Sequence, residues 1–320
     1  MSQKPPRYDR ELQSMLDSSP EIGRVPLQPE GITELREQFR SPGAEALTDG
    51  REVDLQESSV LSRDGTSLLA TTLTKKGSTR PRAALFHIHS GGMIAGDRLI
   101  GMDLMADWVE AENLVCMSVG YRLAPEYPDP TPLNDCYDGF VSFAKDVSDK
   151  HGDIPLIAVG MSAGGGLAAG LALMSRDRGG PVLAGQLLMC PMLDESNDTA
   201  SSRQFSQLGL WDRESNDTGW NALLGSRRHT SEVSPYASPS LEKNLSGLPP
   251  TYLDVGALEV FRSEVVEYAE RLASSDVTVE LHLWAGAFHG FDLTFPSAHV
   301  SQLAISSRKM WLDRILEGTL

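Results

Sequence analysis

The pentapeptide Gly160-Met161-Ser162-Ala163-Gly164 occurs once, directly after an apolar run and at the start of a stretch with helical spacing. Glycines two places before and two places after a serine let a strand and a helix approach closely, which holds the serine on a sharp turn with its hydroxyl exposed. A serine hydroxyl is a poor nucleophile near neutrality. It needs an imidazole to take its proton and an acid to orient that imidazole.

Of the seven histidines, His289 is the best-placed base. It lies in Ala285-Gly286-Ala287-Phe288-His289-Gly290-Phe291, just past the last strand-like run, where a loop side chain can project over the C-terminal edge of a sheet. His87 falls inside a buried-strand pattern and reads as a core histidine, while His151, His229, His282 and His299 read as structural or solvated. Two acids compete for the third role. Asp254 lies within the run Thr251 to Gly256 and should point into a helix–sheet interface, whereas Glu259 follows the end of that run by three residues and suits the site. The competing reading of Glu259 is a solvated acid in the first turn of the next helix. The chain order Ser162, Glu259, His289 is the serine, acid, histidine order of α/β-hydrolases.

Attack on an ester also creates an oxyanion, which preorganised N–H donors stabilise. Ser90-Gly91-Gly92 follows the strand-like run that ends at His89, and its N–H groups can face a cavity without interference from a Cβ. With the N–H of Ala163 they can make a hole of three donors. Trp211, Trp220 and Phe288 are candidate pocket walls, because aromatic surfaces suit apolar esters; packing of one layer against another is the competing reading for each.

These residues need elements to position them. Buried runs at Ala83 to His89, Leu114 to Val119, Leu156 to Gly160 and Val182 to Met189, separated by helical or loop stretches, predict a parallel sheet with helices on both faces. Further strands are expected at Thr251 to Gly256 and Thr278 to Leu283. An opening hairpin is expected at Val53 to Leu61 and Leu68 to Thr74, around the turn Asp64-Gly65. That makes about eight strands in an α/β fold. Residues 1–45 carry helical patterns near Tyr8 to Leu16 and Ile32 to Arg40 and no strand signal, so they read as a lid or arm. Between Asp194 and Pro250 the periodicity breaks down, and an insertion of that length reads as a functional cap.

Composition excludes several classes. The 320-residue chain has 28 basic and 44 acidic side chains and a formal charge of −16, so it lacks the basic footprint that nucleic acid or an anionic membrane surface requires. No apolar run reaches membrane-span length. Cys116, Cys136 and Cys190 are far apart and lack metal-ligand spacing, which fits a reducing compartment. The chain reads as a soluble, cytoplasmic protein.

Five ordered motifs carry a resemblance: His89-Ser90-Gly91-Gly92, Tyr121-Arg122-Leu123-Ala124-Pro125-Glu126, Gly160 to Gly165, the acid loop Glu259 to Glu264, and His289-Gly290-Phe291. Together they resemble the hormone-sensitive lipase family of α/β-hydrolase serine esterases, over about residues 83 to 291. The resemblance implies an α/β-hydrolase fold: a mostly parallel eight-stranded central sheet, helices on both faces, and a helical cap built from residues 1 to about 45 and about 195–245. It further implies Ser162 as nucleophile, Glu259 as acid, His289 as base, and Gly91, Gly92 and Ala163 as oxyanion donors. No cofactor or metal is required; the partner is a small-molecule ester, and members often pair as homodimers through an edge of the sheet. Three positions depart from the family pattern. Ser90 replaces its first glycine, Met161 replaces the aspartate before the nucleophile and brings an adaptable apolar side chain to the pocket, and Glu259 replaces an aspartate.

The expected activity is carboxylic ester hydrolysis on short or medium acyl groups. Two alternatives remain open: a lactone or amide hydrolase or tailoring enzyme of secondary metabolism, and a non-catalytic small-molecule receptor on the same fold, a class that typically loses the triad histidine.

Overall fold

The computed structural model describes residues 7–19, 22 and 26–320; the rest of the N-terminal arm, which the sequence assigns to the cap, lies outside the described residues. Helices α1 (Arg10–Asp17), α2 (Ile32–Gln38) and α3 (Ala44–Thr48) precede a hairpin of β1 (Val53–Leu61) and β2 (Ser67–Lys75). The side chain of Asp9 caps α1 by accepting from the N–H groups of Glu11 and Leu12. Then follow β3 (Ala84–Ile88), α4 (Met102–Glu112), β4 (Val115–Val119), α5 (Thr131–His151), β5 (Leu156–Met161), α6 (Ala163–Arg178) and β6 (Gly185–Met189). The insertion holds α7 (Ala200–Gln204) and α8 (Arg213–Leu224). The chain closes with β7 (Thr251–Gly256), α9 (Arg262–Ala273), β8 (Val279–Trp284), α10 (Phe291–Thr294) and α11 (His299–Leu316).

Strands β3, β4, β6 and β7 are buried at every position, as only strands covered on both faces can be. The eight strands form one sheet in the order β1-β2-β4-β3-β5-β6-β7-β8, antiparallel at β1, β2 and β4 and parallel from there on. This is the α/β-hydrolase architecture expected from the motifs. One difference concerns the run from Val182, whose first residues stay outside the strand: Val182 is 86% exposed, and pairing begins at Gly185, where a Cβ would strike the Trp311 ring on α11. No helix among the described residues is long and apolar enough to cross a membrane.

Parallel order has one consequence for chemistry. Strands β3, β5, β7 and β8 all end at the same rim, so the loops after Ile88, Met161, Gly256 and Trp284 converge there.

Two features brace that rim. A small apolar cluster joins Leu12 and Leu16 of α1 to Phe288, Phe291 and Phe295, so the arm packs behind the loop that carries His289. Deeper down, Arg308 of α11 is fully buried between Asp254 of β7, 2.8 Å from its Nε, and Asp292 of α10. Asp254 therefore faces a helix–sheet interface, as its place inside the strand implies. Burial raises its pKa, against the pull of Arg308. Removing one partner of a buried ion pair strands the others, so Arg308→Ala should lower unfolding free energy by about 3–5 kcal/mol. Urea unfolding checks this, and a change well under 1 kcal/mol would mean the two aspartates do not depend on the guanidinium.

Candidate active site

Strand β5 runs into α6 through Ser162, whose backbone is held at φ 57°, ψ −122°. A side chain there rarely adopts that conformation, and here the surroundings enforce it. The Ser162 N–H donates to the Met189 carbonyl at 2.8 Å, and its carbonyl accepts from Gly166 and Met192 at 3.0 Å each. The turn is tight enough that a Cβ on Gly160 would overlap the Gly164 carbonyl oxygen, which explains the small residues flanking the serine.

The structure brings the three spaced side chains together. Ser162 Oγ lies 3.0 Å from His289 Nε2, and His289 Nδ1 lies 3.0 Å from Glu259 Oε1. The other carboxylate oxygen of Glu259 accepts from the Gly256 N–H at 3.0 Å. The carboxyl is buried, and that burial raises its pKa, while His289 and the Gly256 N–H work in the opposite direction. With Nδ1 donating to the carboxylate, Nε2 is left as the acceptor facing the serine hydroxyl, which is the tautomer a general base needs. The edge of Phe261 packs on the imidazole, with ring centroids 5.0 Å apart.

Gly91 and Gly92 lie beside the serine in the wall of the same cavity, and among the described residues neither N–H donates to a protein acceptor. Gly91 has φ +121° and sits so close to the Ala95 carbonyl that a Cβ would overlap it. Ala163 is the first residue of α6, where helix geometry leaves the N–H without an intrahelical partner. The loop is held from behind by His89: its Nδ1 donates to the Ser90 carbonyl at 2.8 Å, and its ring stacks on Tyr121 at 4.0 Å between centroids. Tyr121 in turn donates to the His89 carbonyl at 3.1 Å. Burial pushes the His89 pKa down to about 4, so this ring is neutral and serves as a prop.

The cavity over Ser162 has a volume of about 220 Å³. Met161 and Trp211 line it, and Trp211 lies against Gly92, held by a 3.3 Å bond from its Nε1 to Asn216. The other two expected walls lie elsewhere. Trp220 is fully buried within the main core, and Phe288 points away from its neighbour His289 into the cluster behind the loop, edge-on to Tyr8. Sequence reasoning missed Leu35 on α2, Phe39 at its C-terminal end, and Leu210 and Leu293, which also line the cavity. A helical apolar face on α2 was the available signal, but its target was not. Nothing in the sequence placed Cys190 near the site, but its sulfur lies within 4.8 Å of ligating atoms of Glu259 and His289, and burial keeps the thiol protonated by raising its pKa.

Residues 85–293 match the Abhydrolase_3 family, described as alpha/beta hydrolase fold. The chain is 30% identical over 319 residues to the carboxylesterase NlhH of Mycobacterium tuberculosis, covering 92% of each. It is 32% identical over 241 residues to the carboxylic ester hydrolase LipN of the same organism, covering 72% of this chain but only 64% of LipN. Among solved structures, a bacterial heroin esterase superposes with a TM-score of 0.84 at 32% identity over 98% of both chains. The chain belongs to the hormone-sensitive-lipase-like family of α/β-hydrolase esterases.

The positions of the two tryptophans separate packing from recognition. Trp220→Ala should cost about 3–5 kcal/mol of stability and leave the ranking of ester substrates unchanged. Trp211→Ala should reorder that ranking with a smaller loss of stability. Thermal unfolding and a panel of esters check both, and a reordered ranking in the Trp220 variant would contradict its placement in the core.

Proposed function

We propose that the protein is a serine carboxylic ester hydrolase for short or medium acyl esters, working through a covalent acyl-enzyme. The observation that carries this reading is the continuous relay Ser162, His289, Glu259, with Gly91 and Gly92 in the wall of the cavity over the serine and Ala163 opening the helix that follows it. Ser162 Oγ attacks the ester carbonyl carbon while His289 Nε2 takes its proton. The carbonyl oxygen becomes an oxyanion and accepts from Gly91, Gly92 and Ala163. As the tetrahedral intermediate collapses, the C–O bond to the alcohol breaks and protonated His289 returns the proton to the departing oxygen. Water then attacks the acyl carbon, His289 takes its proton, and the acid leaves as Ser162 recovers its hydrogen. Glu259 stays ionised, orients the imidazole and stabilises its charged form.

In this reading residues 1–45 and about 195–245 cap the site over a catalytic domain of residues 46–320. Two contacts support the pairing of the two segments: the Leu27 N–H donates to the Ser215 hydroxyl at 2.9 Å, and Thr218 donates to the Leu27 carbonyl at 2.7 Å. Three buried free cysteines favour a cytoplasmic location, and the exposed Leu281 and Leu283 on edge strand β8 favour pairing of two copies there.

Ser162→Ala should reduce hydrolysis of a p-nitrophenyl ester on the order of 10⁴-fold or more, with the fold retained. A serine-directed phosphonate should label Ser162 in the intact protein. Substantial residual hydrolysis would assign the chemistry elsewhere, and an unlabelled serine would favour the receptor alternative. Because Nε2 can take the serine proton only when the imidazole is neutral, kcat/KM should be lost in acid and reach a plateau on the alkaline side. A flat pH profile would count against His289 as the base.

A further inference from the structure

A second cavity of about 370 Å³ lies beside the one over Ser162, and Ser90, Met161 and Leu293 form walls of both. It extends from there between Leu104 of α4 and Ile305 of α11, and opens among Asp103, Asp107 and Gln302. Small-molecule sites span roughly 300–1,000 Å³, so the cavity over the nucleophile is too small to hold a whole substrate of ordinary size, whereas the two together are large enough.

The chemistry of acyl transfer sets which arm goes where. The oxygen that leaves must receive a proton from His289, and His289 lines only the first cavity. The carbonyl oxygen is turned toward the donors of the glycine loop and α6. The remaining substituent on the carbonyl carbon, the acyl chain, is left with the direction past Met161, the neighbour of the nucleophile. Methionine is unbranched and adaptable, so it can part the two cavities or open them to one another.

The shared wall carries one polar side chain, Ser90, and no charged one; the charged residues of the second cavity, Arg51, Asp103, Asp107 and Asp292, line it only outside that wall. Ser90 is buried, and its hydroxyl has no partner among the described residues. His87, on the wall of the second cavity, is bonded through Nδ1 to Ser118 at 3.2 Å and presents its other edge toward Gly101. Burial pushes its pKa down to about 3, so it brings no charge. A buried hydroxyl left without a partner is unfavourable; Ser90 Oγ is closed off from solvent in this side-chain conformation, and rotation of the side chain toward either cavity would let a ligand oxygen satisfy it. Ser90 stands where the resemblance leads one to expect a glycine, so the hydroxyl is a feature of this chain.

We propose that the second cavity takes the acyl chain of the substrate, and that Ser90 selects neutral, medium-length acyl groups bearing an oxygen close to the ester carbonyl. The proposal rests on the esterase reading above.

Leu104→Trp and Ile305→Trp fill the second cavity from α4 and from α11, at residues that do not line the cavity over Ser162. Each should lower kcat/KM for p-nitrophenyl octanoate about tenfold relative to p-nitrophenyl acetate, and leave octyl acetate, whose long arm is the alcohol, within about twofold. A selective loss on octyl acetate, or an unmoved octanoate-to-acetate ratio in both variants, overturns the proposal while leaving the esterase reading intact. The wild-type protein should prefer the 3-hydroxyoctanoate ester over the octanoate, and Ser90→Ala should abolish that preference; its absence in the wild type, or its survival in the variant, overturns the role of Ser90. Should a tryptophan variant fail to fold, a crystal structure of the Ser162→Ala protein with bound p-nitrophenyl octanoate decides. An acyl chain in the second cavity supports the proposal, and one confined to the first overturns it. If the wild-type protein hydrolyses no ester at all, the esterase reading fails and this proposal falls with it.

Discussion

The backbone of Ser162 sits in a conformation that a residue with a side chain avoids, and the rest of the site is arranged around keeping it there. Hydrogen bonds to Met189 at the end of β6 and from Gly166 and Met192 hold its N–H and its carbonyl, and small residues before and after let β5 and α6 close to contact distance. The strain has a chemical use: it lifts the hydroxyl off the sheet edge, where a base and N–H donors can reach it together. A relaxed turn would let the hydroxyl fall back toward the helix and would separate these partners.

The N-terminal arm does two separate things around this turn. Helix α1 packs behind the histidine loop, with Asp9 donating its N–H to the Gly286 carbonyl at 2.9 Å, whereas α2 and the residue that caps its C-terminus supply Leu35 and Phe39 to the cavity. Arg36, between those two side chains in sequence, donates to the carbonyls of Ile94 at 2.7 Å and Ala124 at 2.8 Å and forms a two-pronged pair with Glu126. It thereby ties the roof of the cavity to the turn that follows Gly91. The guanidinium holds the Glu126 carboxyl down at a pKa of about 2, so the pair stays charged across the working range of a histidine base. Glu126 is more than half exposed, which limits its energetic weight; the bonds to the two carbonyls matter more for position.

Charge is used differently below the rim. Asp254, Arg308 and Asp292 join strand β7, which leads to Glu259, with α11 and with the short helix that follows His289. Glu259 and His289 therefore hang from elements that share one buried ionic link. Such a link contributes less to stability than its geometry suggests, because desolvation offsets much of the attraction. Its value lies in fixing how two loops sit relative to one another.

Much of this was legible in the sequence, and for local reasons. Whether a run is buried on both faces, or is an edge strand closed by a tight turn, is written in its own residues, so the limits of β7 and of the mostly exposed β1 agree with those read from Thr251 to Gly256 and Val53 to Leu61. The spacing of Gly160, Ser162 and Gly164, the glycines of the two loops, and the position of Glu259 just past a strand are likewise properties of short segments. What a side chain touches across the fold is not such a property. Only the tertiary structure decided that Trp220 and Phe288 pack inward while Trp211 meets the cavity, that α2 closes the cavity, and that Asp254 pairs with a guanidinium more than fifty residues away. The sequence by itself determined which residues could do chemistry, because that depends on residue type and local backbone. Which surfaces surround the chemistry was decided by packing between segments far apart in the chain, because contact distance and burial exist only once those segments are assembled.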